Sequence, residues 1–235
     1  MGRMAGPGAL IHPLRTNSWQ RPSPCDMMHQ GFVGGGMTAV RRDEPMTVEE
    51  FLKWDDGRYE LVEGVPRLMA PHTDKHATMQ SNLSRAIGNH LIARNAPCRV
   101  VSEGGVKPRI RSTYNHRKPD IAITCTPNRA GDVFIPDPVI IIEILSTNED
   151  ETRDNIARFT SLGSVREIVL FHQNEPLAEV WRRGIGEWPE DPEMVGGEVV
   201  LGDSPTVAGT VRLETIDMML DFAEVYRWCD MGGAA

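Results

Sequence analysis

The spacing of apolar residues changes several times along the chain, and each change marks an element. Met79, Leu83, Ile87 and Leu91 recur every four residues with Ala86 beside them, which predicts a long amphipathic helix. Thr73 or Asp74 can cap its start, and it is expected to end near Asn95, before Pro97. A short helix through Phe51, Leu52 and Trp54 is expected earlier, because Thr47-Val48-Glu49-Glu50 places a Glu three residues after a capping Thr. Arg58–Val62 and Val65–Met69 flank Glu63-Gly64 and read as a tight hairpin, with Gly64 supplying the positive φ and Pro66 marking an edge strand. β runs follow at Cys98–Ser102, Val106–Ile110, Ile121–Cys125 and Val139–Leu145. The last is almost continuously apolar, as a strand buried on both faces in mid-sheet would be. A helix over about Asn148–Leu162 and an apolar strand at Glu167–Phe171 complete a βαβ unit, so the strands on either side of that helix are expected to run parallel. Residues 177–182 and 198–201 read as outer strands and Asp221–Trp228 as a closing helix.

Composition narrows the class. The chain has 235 residues, 40% hydrophobic and 25% charged, which suits a soluble globular domain with a tail. Residues 1–45 hold seven glycines and five prolines with no apolar period, so they read as a disordered tail, with Met37 or Met46 as alternative starts. The ordered domain is expected over residues 46–230. No apolar run is long enough to cross a membrane, and no secretory apolar core is evident, so the cytoplasm is the expected compartment. Cys25, Cys98, Cys125 and Cys229 show no CxxC spacing and read as buried or incidental thiols of a reducing compartment. Net charge is −8, which weighs against tight non-specific DNA binding. The distribution is uneven: Arg85–Lys118 carries eight basic residues and one acid, whereas Glu187 to the end carries eleven acids and two arginines. Such a contrast is also what ordinary solvated faces give.

Glu143 is the anomaly. It interrupts the apolar run Val139–Leu145, and a carboxylate there costs several kcal/mol unless it is paired, protonated or bound to a cation. A salt bridge to a buried arginine is one resolution; a divalent metal at the rim of a cleft is the other. Asp120 favours the second, because it opens the apolar run Ile121-Ala122-Ile123 directly after Pro119. Two carboxylates on neighbouring strands, about 4.8 Å apart, repel and call for a cation. Hard oxygen donors suit Mg²⁺ or Mn²⁺. His72 and His76 stand four apart, but the pair straddles the start of the long helix and is expected at the surface. The tryptophans are scattered and read as packing residues.

Several ordered motifs resemble the Uma2-type restriction endonucleases (the DUF820 group) of the PD-(D/E)XK nuclease superfamily. They are Tyr59-Glu60-Leu61-Val62-Glu63-Gly64, His76 with Asn82-Leu83, Pro119-Asp120-Ile121-Ala122-Ile123-Thr124-Cys125, Ile141-Ile142-Glu143-Ile144-Leu145-Ser146, Ser164–Leu170 and Phe222–Tyr226. The resemblance covers about Met46 to Trp228. It implies an α/β, restriction-endonuclease-like fold, a central mixed β-sheet flanked by helices. It also implies Asp120 and Glu143 as metal ligands, Glu60 as a third carboxylate, and His76 as a rim residue. Glu60 has a plainer reading, an exposed strand glutamate. The chain departs from the pattern where lysine is expected: Leu145 stands two residues after Glu143, and Asn155 stands at the alternative position on the following helix, with Glu151 before it and Thr147 in place of a proline. Lysine there would offset charge on the phosphate; Asn155 can donate a hydrogen bond only, and Arg158 on the same helical face is a candidate substitute.

The first expectation is therefore a divalent-metal-dependent endonuclease acting on DNA, with Asp120, Glu143, Glu60 and Asn155 at its site. Cutting both strands of a duplex would suit a homodimer. The second is a catalytically impaired nuclease fold that binds nucleic acid through Lys107, Arg109, Arg111 and Lys118. The third is a structural protein in which Glu143 is merely ion-paired.

Overall fold

The structure, a computed structural model, describes residues 44–55, 57–145, 149–200 and 206–231, and of residues 149–152 the backbone alone. The expected tail up to residue 43, Thr147 and the side chain of Glu151 lie outside the described residues. Helix α1 (Val48–Trp54) starts as the capping box requires: the Thr47 side chain accepts from the Glu50 N–H, and the Glu50 carboxylate accepts from the Thr47 N–H. Strands β1 (Tyr59–Val62) and β2 (Val65–Leu68) form the expected antiparallel hairpin. Its two turn residues, Glu63 and Gly64, both have positive φ, and a Cβ at Gly64 would lie 2.4 Å from the Pro45 side chain.

Helix α2 (Asp74–Ala93), capped by Thr73, buries Met79, Leu83, Ile87 and Leu91. Each such side chain contributes roughly 1.5–3 kcal/mol, so packing rather than propensity holds the helix. Buried Asn82 donates to the carbonyls of Val225 and Arg227 and ties the C-terminal segment to α2.

The core of the fold is a six-stranded mixed sheet in the order β3 (Arg99–Ser102), β4 (Ile121–Thr124), β5 (Pro138–Leu145), β6 (Glu167–His172), β7 (Leu177–Arg182) and β8 (Glu193–Gly196). Only β5 and β6 pair in parallel, across helix α3 (Glu149–Phe159), as the βαβ reading requires. Strand β5 is central, and its faces alternate. Ile140, Ile142 and Ile144 join the cluster of Met79 and Leu83 from α2. Ile141 and Leu145 join Ala122 and Phe159 on the α3 side. Glu143 has the parity of Ile141 and Leu145, so the strand presents it on the α3 side.

Two small antiparallel pairs follow: β9 (Glu198–Val200) with β10 (Thr206–Ala208), and β11 (Thr210–Leu213) with β12 (Met218–Asp221). Helix α4 (Phe222–Val225) closes the described chain, and the Tyr226 hydroxyl donates to the His172 carbonyl. No described helix is long and apolar enough to cross a membrane.

Three expectations are corrected. Val106–Ile110 is not a strand: it makes one bridge, Val106 to Arg117, because Pro108 has no N–H to continue the ladder. The expected closing helix Asp221–Trp228 shrinks to Phe222–Val225: Asp221 ends β12 and caps the helix, Tyr226 is its C-cap, and Trp228 has positive φ. Cys98 and Cys125 are joined in a disulfide. The register that sets Arg99 opposite Thr124 sets these two cysteines opposite each other one step further on. Lack of CxxC spacing hid this pairing, and with it goes the argument from free thiols to a reducing compartment.

Candidate metal centre

The register of β4 and β5 sets Ile121 opposite Ile142, and one step along the same ladder Asp120 meets Glu143. Both carboxylates are nearly enclosed, 7% and 8% exposed. They are bound reciprocally: the Asp120 N–H donates to Glu143 Oε2 at 3.1 Å, and the Ile144 N–H donates to Asp120 Oδ2 at 2.7 Å. Among the described residues no arginine or lysine lies within ion-pair distance of either, so the buried-arginine reading of Glu143 fails. Burial, and then the Asp120 charge, push the Glu143 carboxyl well above its ordinary value. Such a group keeps its proton or takes a cation in its place.

Glu60 is not an exposed strand glutamate. Its side chain is largely buried, its Oε1 accepts from the Lys118 N–H at 2.5 Å, and its Oε2 lies 3.4 Å from Arg117 Nη1. Its charge reaches Glu143 and adds to the upward push there. Arg117, one of the eight basic residues of Arg85–Lys118, is 1% exposed, and its Nε has no partner among the described residues. Burial lowers the pKa of this guanidinium, with Glu60 opposing.

Asn155 is buried on α3, and its Oδ1 has no hydrogen-bond partner among the described residues. Arg158 turns elsewhere: its Nη1 donates to the Asp154 carbonyl and its Nη2 lies 3.7 Å from Glu63 Oε1. Two of the four basic residues considered for nucleic-acid retention are engaged, Arg111 with Glu63 at 2.5 Å and Lys118 with Asp55 at 3.3 Å.

The surface expectation for the histidine pair holds for His72, which is exposed, and is corrected for His76. His76 is buried and points Nε2 at Asp120 Oδ2, 3.2 Å away. His72 stacks on it with ring centroids 4.1 Å apart. Ligand atoms of His72, His76 and Asp120 all lie within 4.8 Å of one another, a set able to hold a metal. The signal was present in the sequence, because His76 continues the buried stripe of Met79 and Leu83 at helical spacing.

A family model described as "Uma2: Putative restriction endonuclease" matches residues 48–212. One of the solved structures that match has a TM-score of 0.58 at 19% identity, covering 78% of this chain and 99% of the other. It is described as a "putative nuclease belonging to DUF820 from Anabaena variabilis ATCC 29413". At that identity the likeness speaks for the fold. No curated protein matches the chain.

Proposed function

The chain belongs to the Uma2 family, described as "Putative restriction endonuclease", and on that premise we propose that it is a divalent-metal-dependent endonuclease that hydrolyses DNA phosphodiester bonds. The observation that carries the reading is the pairing of Asp120 with Glu143 on adjoining central strands, enclosed together with no arginine or lysine, among the described residues, against either. The donors are carboxylate oxygens, which fit Mg²⁺ or Mn²⁺. When bound, such an ion polarises a phosphate and lowers the pKa of its water.

The chain's own groups do the positioning. The Ile144 and Asp120 N–H groups orient the two carboxylates, so little reorganisation is left for substrate binding. Glu60 adds negative charge beside them while remaining tied to Arg117 and the Lys118 N–H. Asn155 stands where lysine is expected and brings a hydrogen-bonding amide without charge. Supercoiled plasmid with Mg²⁺ or Mn²⁺ is expected to be nicked by the wild type and left intact by Asp120→Ala. Equal nicking by both proteins would assign the activity to a contaminant and overturn the reading.

One observation favours a second reading, a nucleic-acid-binding module with a decayed site: neither Leu145 nor Asn155 supplies the expected lysine. That reading requires metal-independent gel retardation through Lys107, Arg109, Arg111 and Lys118, falling steeply with salt, and no nicking.

A further inference from the structure

We propose that His72 and His76, together with Asp120, form a nitrogen-donor side of the metal centre that holds a transition-metal dication such as Zn²⁺ in preference to Mg²⁺. This deepens the reading above, because Asp120 serves both donor sets. Helix α2 begins over the edge of the sheet at which β4 brings in Asp120. Thr73 caps the helix, so His72 stands just before its first turn and His76 inside it. Gln80, one turn further on, donates to the Asp120 carbonyl at 2.9 Å and holds the helix against that strand.

The geometry approaches that of a bound cation. Ligand atoms around a tetrahedral Zn²⁺ lie roughly 3.4 Å apart, given metal–nitrogen bonds of about 2.0–2.1 Å. His76 Nε2 and Asp120 Oδ2 are already 3.2 Å apart. His72 must close the remaining gap from a set spread over 4.8 Å. It is the more exposed member, with a side chain 29% exposed, held by its stack on His76 and a long contact of 3.5 Å from its Nε2 to Glu103 Oε1. Binding therefore draws the His72 ring off its stack on His76 and away from Glu103. His76 is fixed by burial, and its Nδ1 has no partner among the described residues.

Imidazole nitrogen changes the selectivity of the centre. Mg²⁺ prefers oxygen donors and keeps its waters, whereas two imidazoles and a carboxylate favour Zn²⁺ and its neighbours along the Irving–Williams order. The Asp120–Glu143 side offers oxygen alone.

The test is calorimetric titration of chelator-stripped full-length protein with Zn²⁺ and, separately, Mg²⁺. Wild type, His72→Ala and Glu143→Gln are compared; His72 is exposed enough for its replacement to leave the fold intact. Zn²⁺ affinity is expected to fall tenfold or more in His72→Ala while its Mg²⁺ affinity stays within twofold of wild type. Unchanged Zn²⁺ affinity in His72→Ala overturns the proposal, and loss of Mg²⁺ binding in Glu143→Gln would then leave the nuclease reading standing. Zn²⁺ binding that depends on His72, in a protein that never binds Mg²⁺, supports the histidine site and removes the oxygen-only one.

Discussion

At the scale of single residues, the unusual feature is how much ionisable chemistry is enclosed near one end of the sheet. His116 illustrates the consequence. It packs between the rings of Phe51 and Phe134, at 5.2 and 5.4 Å. Burial, and then the Lys118 charge, draw its pKa from 6.5 down to about 4. The unfolded chain takes up this proton near 6.5 and the folded chain only near 4, so folded stability falls as pH drops through that window and levels below it. Denaturant unfolding at pH 7 and pH 5 is expected to show His116→Phe losing about 2 kcal/mol less than wild type over that interval. Equal losses would mean that His116 is protonated in the fold. Asp120 and Glu143 were legible in the sequence because a carboxylate at the start of, or inside, an apolar strand stands out against its neighbours. His76 was marked only by its place on the buried stripe of Met79 and Leu83, a signal that the HxxxH spacing across the helix start obscured. Arg117 was not legible: nothing in its neighbours marks a basic side chain as buried, and only the strand carrying Glu60 decides where it points.

At the scale of elements, β4, β5 and α3 bring in the candidate site residues Asp120, Glu143 and Asn155. The apolar period fixed β5 at the centre and made its parallel pairing with β6 foreseeable. What failed was local: Pro108 silenced an apparent strand, and the closing helix stopped at Val225, where Tyr226 caps it and Trp228 takes positive φ with no glycine or proline to signal the end. Helix α3 covers the sheet face that carries Glu143, and it presents Asn155 with an unpartnered Oδ1. Asn155→Lys would bring an ammonium to a face already rich in carboxylate. It is expected to raise plasmid nicking about tenfold, within the range of charge-stabilising groups at reacting centres. An unchanged rate in a variant that still melts cooperatively would mean that the missing lysine does not limit the reaction.

At the scale of the whole molecule, sheet topology holds a destabilising pair together at the proposed metal centre. Strands β4 and β5 cannot separate Asp120 from Glu143 without giving up their shared ladder, and in the proposed function a cation relieves the repulsion. Because the Glu143 carboxyl is raised, the folded state holds a proton that the unfolded chain releases, and stability is lost as pH rises above the ordinary carboxylate range. The most direct measurement is the melting temperature at neutral pH, in EDTA and in Mn²⁺, of wild type and Glu143→Gln. Wild type is expected to gain roughly 5–10 °C with Mn²⁺ at a hundredfold excess over its dissociation constant. Glu143→Gln is expected to melt higher than wild type in EDTA and to respond to Mn²⁺ much less than wild type does. A wild type indifferent to Mn²⁺, or a variant that responds as strongly, would contradict the account.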